Sequence, residues 1–234
     1  MRKSLIILII VISGCAVLWL LRMTTSRTTG QAKDLLIDLS AFPEEWSEKS
    51  RFSAHNDYYV LQDQNASDWA GVRYTPIGTE DDWLYQNADQ MVWDFGLSLG
   101  AAWEFYHRFQ GLPTALTPIE LPKEAYTSNV ADRFQLVCGV VPPDPEFEIE
   151  GGWTVCQAVG QYGRFISTFS TPVGNEYDLT FDDLWNILNT IDDRMACQVK
   201  DLDTQIVDRI WNTKTPGLSD GPIPEACGPA MGQP

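Results

Sequence analysis

The chain has 234 residues, 44% of them hydrophobic, and a formal net charge of −16. This length is sufficient for one domain with a substantial hydrophobic core. Residues 1–22 hold three basic groups and no acidic group, so the remaining residues carry 13 basic and 32 acidic side chains, a net charge of −19. Such a surface repels nucleic acid and anionic lipid headgroups, which excludes nucleic-acid binding as the expected function.

The first 22 residues have the organisation of an export segment, with Arg2 and Lys3 followed by the apolar run Leu5–Leu21. Residues 12–15 read Ile-Ser-Gly-Cys, which resembles the lipobox of bacterial lipoproteins. The resemblance implies that the chain is cut before Cys15 and that the Cys15 thiol carries diacylglycerol.

An uncleaved membrane helix is the alternative, because the chain stays apolar after Cys15. The 17 residues of Leu5–Leu21 would form a helix of about 25 Å, near the short limit for a hydrocarbon core of about 30 Å. Trp19 and Arg22 stand where an interfacial anchor is expected. The third interpretation is ordinary secretion, in which the segment is removed and no membrane anchor remains. Lipidation and anchoring both predict a location at the cytoplasmic membrane, with the domain on the extracytoplasmic side.

Four parts are predicted along the chain. Residues 1–22 are the signal-anchor helix or lipoprotein signal, and the polar residues 23–33 are a tether. Residues 34–212 are an extracytoplasmic α+β domain. Residues 213–234 are a tail rich in Pro and Gly, a composition that does not support regular structure.

In the first half of the domain, the pattern predicts a helical turn at Asp34–Leu39 and strands at Trp69–Ile77 and Gln90–Leu97. Ser98 is expected to cap a helix that ends before Gly111. Trp103 is assigned to the core face of that helix, where apolar residues recur at helical spacing: Leu99, Ala102, Trp103, Tyr106 and Phe109.

In the second half, alternating patterns predict strands at Ala131–Val141, Gly152–Gly160 and Tyr162–Ser170, the last two as a hairpin. Thr180 and Asp183 resemble a capping box at the start of a helix. The core stripe of this helix is Leu184, Ile187, Leu188, Ile191 and Met195, and a weaker amphipathic stretch runs from Leu202 to Trp211.

Short alternating strands with hairpin-length links favour an α+β fold. We predict a twisted antiparallel sheet with helices packed on one face, preceded by the N-terminal membrane anchor.

Five cysteines are present, of which four remain besides Cys15. Four cysteines allow three full pairings. Cys138 and Cys156 lie on successive predicted strands, which an antiparallel pair brings opposite each other. We therefore predict the disulfides Cys138–Cys156 and Cys197–Cys227, the second of which would hold the tail against the last helix. Free buried thiols are the alternative, although an exported chain permits disulfides.

Residues for the common catalytic chemistries are few. His55 and His107 are the two histidines, and His107 is expected to be a half-buried packing residue. The sequence contains no Gly-x-Ser-x-Gly, His-Glu-x-x-His, phosphate-loop or Cys-x-x-Cys pattern. We predict no catalytic residue, no metal site and no cofactor.

Tryptophan supplies the candidate binding residues. The pattern assigns no core position to Trp46, Trp69, Trp83, Trp153 and Trp211. Exposed aromatic rings stack on sugars or dock protein partners, so these five residues are candidates for contact with a ligand or partner. Filling of the core is the alternative role.

The segment CGVV, followed by WTVCQAVGQYGRFISTFS and LTFDDLWNILNTIDDRM, is similar to exported bacterial α+β domains. In those domains paired cysteines flank a strand turn, and a strand with an aromatic-Gly-basic pattern precedes a final helix. The resemblance covers residues 34–197. It implies an α+β fold and an extracytoplasmic location, and it implies no activity.

Three functions stay open at this point. The first is a membrane-tethered accessory or interaction domain without catalysis, contacting the membrane through its N-terminus and a protein partner through its domain. The second is a binding module for a sugar or small ligand that uses exposed Trp. The third is a hydrolase that uses paired carboxylates, because the chain holds 32 acidic residues.

Overall fold

The computed structural model describes residues 31–53, 66–78, 87–109, 116–122, 124–143, 152–174 and 179–210, with the side chains of residues 31 and 197–210 outside the description. Within these residues the elements are, in chain order, α1 (Gln31–Asp34), a 3₁₀ turn (Leu39–Ala41), β1 (Trp46–Ser53), β2 (Asp68–Pro76), β3 (Ala88–Asp94), α2 (Ser98–Glu104), a π turn (Phe105–Phe109), β4 (Thr117–Pro118), β5 (Arg133–Val140), β6 (Thr154–Tyr162), β7 (Phe165–Val173) and α3 (Phe181–Ile210).

The strands form one antiparallel sheet in the order β1-β2-β3-β7-β6-β5-β4. It consists of two meanders, β1 to β3 and β4 to β7, which meet where β3 pairs with β7. Helix α2 and the π turn connect the two meanders along the chain. The predicted α+β class with an antiparallel sheet is confirmed.

The larger core lies between one face of the sheet and α3. The predicted capping box begins this helix, since the Asp183 N–H donates to Thr180 Oγ1 at 3.1 Å and the Thr180 N–H donates to Asp183 Oδ2 at 3.0 Å. The whole predicted stripe is buried: Leu184, Ile187, Leu188, Ile191 and Met195. The helix continues to Ile210, so the stretch predicted from Leu202 belongs to the same helix rather than to a separate element.

Helix α2 packs on the opposite face of the sheet. Side chains alternate between the two faces along a strand, and Val159 and Ile166 lie on the face that α3 does not cover. They join Phe95, Ala101 and Phe105 in a second buried cluster. The long helix therefore lies on one face as predicted, and α2 adds a partial layer on the other face that the prediction did not include.

The segment before β1 is part of the core. Ala32 is fully buried, and its N–H donates to Asp68 Oδ2 at 3.3 Å. Residues 35–37 are buried as well, and the Ile37 N–H donates to the fully buried Gln90 side chain at 2.8 Å. Residues 31–33, which the sequence assigned to the tether, thus belong to the domain.

Candidate interaction surface

Helix α2 is held in place by its buried side. Ala101, Glu104 and Phe105 are buried, and Phe105 packs in the second cluster. The Glu104 carboxylate lies 3.0 Å from Arg108 Nε, one turn later. The chain then continues as a π turn, a rare geometry that frequently occurs at functional sites.

The other side of α2 presents a row of exposed apolar residues. Leu99, Trp103 and Tyr106 follow the helical spacing that places residues on one face, and they are 81%, 64% and 52% exposed. Leu97, directly before the helix, is 50% exposed. We refer to these four residues as the α2 surface. Single exposed apolar residues are common, whereas several of them on one side of a short helix form a candidate binding surface.

Two aromatic rings of the α2 surface are held by neighbouring side chains. Arg133 Nε donates to the Tyr106 hydroxyl at 3.2 Å, and the Arg133 guanidinium carbon lies 5.2 Å from the centre of the Tyr106 ring. Arg133 also donates to the buried Gln161 side chain. The Trp103 and His107 ring centres are 4.1 Å apart. Rings that are already held lose less conformational entropy when they bind another molecule.

Leu97 occupies the N-cap position of α2, where it makes no side-chain capping hydrogen bond. Ser, Thr, Asp and Asn are preferred at this position, and their replacement by an apolar residue costs about 1 kcal/mol. An exposed leucine here stabilises neither the start of the helix nor the core. The prediction that Ser98 caps the helix is wrong, since Ser98 is the first helical residue.

The apolar spacing of α2 predicted its core side only in part: Phe109 packs against the second cluster and Ala102 is half-buried, whereas the other three members of the predicted stripe are exposed. Trp103, which the sequence assigned to the core, is exposed, and Phe105 is buried in its place. His107, which was expected to be half-buried, is exposed. A core stripe and a binding stripe have the same helical period, so the spacing alone does not distinguish them.

The predicted tryptophan candidates have different outcomes. Trp46 and Trp69 are buried, with 4% and 8% of their surface exposed, so the prediction that they contact a ligand or partner is wrong for this structure. Trp153 is half-buried. Trp83 and Trp211 lie outside the described residues.

The predicted disulfide Cys138–Cys156 is present. The two cysteines are direct cross-strand partners of β5 and β6, and both are buried. Cys15 and Cys227 lie outside the described residues, as does the side chain of Cys197. Lipidation at Cys15 and the Cys197–Cys227 disulfide therefore stay predictions.

Two buried carboxylates lie at the end of the sheet from which α2 departs. Asp68 and Asp94 are cross-strand partners, and Asp94 Oδ2 lies 2.9 Å from Arg164 Nη2. The Gly96 N–H donates to Asp94 Oδ1 at 2.7 Å. Burial raises the pKa of Asp94, while Arg164 and the Gly96 N–H act in the opposite direction. These contacts fix the turn between β6 and β7 against the end of β3, which is a structural role.

Another buried carboxylate, Asp192 on α3, accepts hydrogen bonds from two tyrosines. The Tyr126 and Tyr162 hydroxyls donate to it at 2.5 and 2.6 Å. Burial raises the pKa of both tyrosines, and the Asp192 carboxylate raises it further. The hydroxyls therefore stay protonated and connect β6 and the segment before β5 to α3. No sequence pattern indicates this cluster, because a single Asp among the polar positions of a helix does not reveal its partners.

Within the described ranges, no group of three His, Cys, Asp or Glu side chains is placed to hold a metal ion. The same ranges contain no helix that is both long and apolar enough to cross a bilayer.

No protein-family model matches the chain, and no curated protein matches it. Among solved structures, the chain is similar to the crystal structure of the extracellular domain of PknH from Mycobacterium tuberculosis, with 10% sequence identity and a TM-score of 0.44. This match covers 71% of the present chain and 93% of the other chain. The basis for a functional proposal is therefore the α2 surface itself.

Proposed function

We propose that the chain is a membrane-tethered extracytoplasmic accessory domain that binds a protein partner, without catalysis of its own, as a subunit of a membrane complex. Residues 1–22 provide the membrane anchor in this proposal, either as a helix or through a lipid on Cys15. The observation that carries the proposal is the exposed apolar α2 surface on an otherwise acidic chain.

Burial of the α2 surface against a partner would supply useful binding free energy. Leu99 and Trp103 are 81% and 64% exposed, and complete burial of an apolar side chain of this size contributes about 1.5–3 kcal/mol. Trp and Tyr are enriched among the residues that dominate protein interfaces. The orientation of Trp103 beside His107 and of Tyr106 beside Arg133 reduces the entropy lost on binding.

The Cys138–Cys156 disulfide supports an extracytoplasmic location. Disulfides persist in oxidising compartments and are rare in the cytosol. Both cysteines are buried between β5 and β6, which protects the sulfur atoms from exchange with other thiols.

Binding of a sugar or small ligand is a second candidate, favoured by the exposed ring of Trp103. A thermal-shift panel of glycans and metabolites tests it on the full chain and on Trp103→Ala. A compound that raises the melting temperature of the wild type and leaves the variant unchanged would support this function. If no compound raises the melting temperature, the candidate is rejected for that panel.

Co-purification from native membranes tests the main proposal. The full chain is isolated in mild detergent in three forms: wild type, Leu99→Ser/Trp103→Ser, and the control Ile77→Ser. Ile77 is a suitable control because it is an apolar residue with 65% exposure located directly after β2. Thermal unfolding of the three purified forms verifies that each is folded.

We expect a stoichiometric protein partner with the wild type and with the Ile77 control, and its loss from the double variant. The proposal is contradicted if the wild type recovers no reproducible partner, or if all three forms recover the same one.

A further inference from the structure

The described part of the chain begins at the same end of the sheet as the α2 surface. The Ala32 N–H donates to Asp68 Oδ2, and Asp68 is the cross-strand partner of Asp94 at the end of β3. Leu97 follows Asp94 by three residues. The point at which residues 1–30 join the domain and the start of α2 therefore share one end of the sheet.

Ile77 marks the other end of the sheet. It follows the nine residues of β2, which begin at Asp68, and a strand of that length extends about 30 Å. The N-terminal segment thus joins the domain at the end of the sheet that carries the α2 surface, and Ile77 lies at the opposite end.

The polar residues 22–30 are short enough to keep this end close to a membrane. Nine residues extend at most about 30 Å. If residues 5–21 are held in the bilayer, the α2 surface lies within reach of the membrane-adjacent parts of neighbouring proteins.

Charge favours a protein over the lipid surface as the occupant of the α2 surface. The chain has a net charge of −16, and an acidic domain is repelled by anionic headgroups. At the α2 surface itself, the Arg133 guanidinium lies against the Tyr106 ring. A partner with an apolar patch and an acidic side chain beside it would complement both features.

We infer that the α2 surface binds the membrane-adjacent extracytoplasmic face of an integral membrane protein located in the same membrane. This inference rests on the proposed function and adds the class of the partner and the orientation of the domain. Confinement of two proteins to one membrane raises the effective concentration at which their extracytoplasmic surfaces meet. A surface of four apolar residues is then sufficient, although it would bind weakly in solution.

Photo-crosslinking in intact cells tests this inference on the full chain. p-Benzoylphenylalanine replaces Leu99 in one form and Ile77 in the control form, and both positions are exposed enough to accept it. After irradiation, the adducts are identified by mass spectrometry, and alkaline carbonate extraction of membranes that were not irradiated shows whether the crosslinked protein is integral, because carbonate removes proteins that are not. We expect the Leu99 form to give an adduct with an integral membrane protein, and we expect this adduct to be absent from the Ile77 form.

The other outcomes separate the inference from the proposed function. An adduct with a protein that carbonate removes would overturn the inference and leave the proposed function intact. Adducts with lipid alone, or no adduct from a Leu99 form that melts like the wild type, would overturn both.

A longer tether gives an independent measurement. Insertion of about 20 flexible residues between residues 22 and 31 lowers the concentration of the α2 surface next to the membrane about twofold, because the height that a tether allows grows with the square root of its length. We expect the yield of the Leu99 adduct to fall accordingly. An unchanged yield would contradict the membrane-adjacent position of the partner surface.

Discussion

Loss of the Cys138–Cys156 disulfide has a calculable effect on stability. The two cysteines are separated by 18 positions in sequence, and closing a loop of this length stabilises the folded state by about 3 kcal/mol in the chain-entropy treatment. For a domain of this size, the free energy of unfolding falls by about 2 kcal/mol per molar urea. Reduction of the disulfide should therefore lower the urea midpoint by about 1.5 M.

The measurement is urea unfolding of the full chain in mild detergent, followed by tryptophan fluorescence, with and without reductant. A Cys197→Ser/Cys227→Ser background ensures that Cys138 and Cys156 form the one disulfide affected by the reductant. Cys138→Ala/Cys156→Ala in the same background should have the urea midpoint of the reduced protein to within about 0.5 M. The remaining difference arises because the double substitution also removes two small buried side chains. A shift below about 0.5 M would refute the reasoning, because the crosslink would then add no stability.

Three further perturbations test the surface and the core. Leu97→Ser supplies α2 with a side-chain N-cap, so the free energy of unfolding should rise by about 1 kcal/mol while partner recovery falls; unchanged recovery would remove Leu97 from the binding surface. Tyr74 is fully buried, its hydroxyl donates to the Ile37 carbonyl at 2.6 Å, and burial raises its pKa to about 12. Because this folded-state pKa exceeds the ordinary value of about 10, the contribution of Tyr74 is complete below about pH 10 and decreases by about 2–3 kcal/mol between pH 10 and 12. Urea unfolding of Tyr74→Phe should show a smaller decrease over that range, and an equal decrease would contradict the assignment. Asp192→Ala removes the acceptor of two buried tyrosine hydroxyls and should cost about 2–6 kcal/mol in urea unfolding. The exposed neighbour provides the control, since Asp193→Ala should change stability by less than about 0.5 kcal/mol, and similar effects of the two substitutions would count against the cluster.

The parts of the fold that were predicted correctly have strong local signals. Helix α3 combines a capping box with five apolar residues at helical spacing, and all five are buried. Apolar residues alternate along β5, and Cys138 and Cys156, which lie on successive predicted strands, are direct cross-strand partners as predicted. In these elements the local pattern and the tertiary packing agree, which is the condition under which sequence patterns predict structure.

The missed elements lack such signals. Strand β1 contains the polar run Ser47–Arg51, and its periodicity is hidden because it is an edge strand with exposed residues on both faces. Charged residues on an edge strand oppose pairing with another chain. No clear pattern in the sequence assigns Trp46 and Trp69 to the core, yet both are buried. Trp46 packs in the larger core beside Phe42, and Trp69 lies beside Phe52 of the neighbouring strand.

The exposure of the α2 surface could not be predicted from the sequence, because its residues recur at the same spacing as a core stripe. Leu99, Trp103 and Tyr106 have the spacing of a core stripe, and the burial of the residues between them is decided by the strand positions Val159 and Ile166. The structure shows that α2 departs from two local preferences: its N-cap is the apolar residue Leu97, and its exposed side carries apolar residues. Local rules are broken most often at functional sites, where another requirement decides the residue.

Hydroxyl-radical footprinting of the full chain is the most direct test that the α2 surface contacts a partner at the membrane. The oxidation rates of Trp103 and Tyr106 are compared between native membranes and the chain purified in detergent, with Ile77 as the exposed reference. We predict that both rings are protected in native membranes and become reactive after purification, while Ile77 reacts equally in both. Equal oxidation of Trp103 in the two preparations would show that the surface is uncovered in its native setting and would contradict the proposed function.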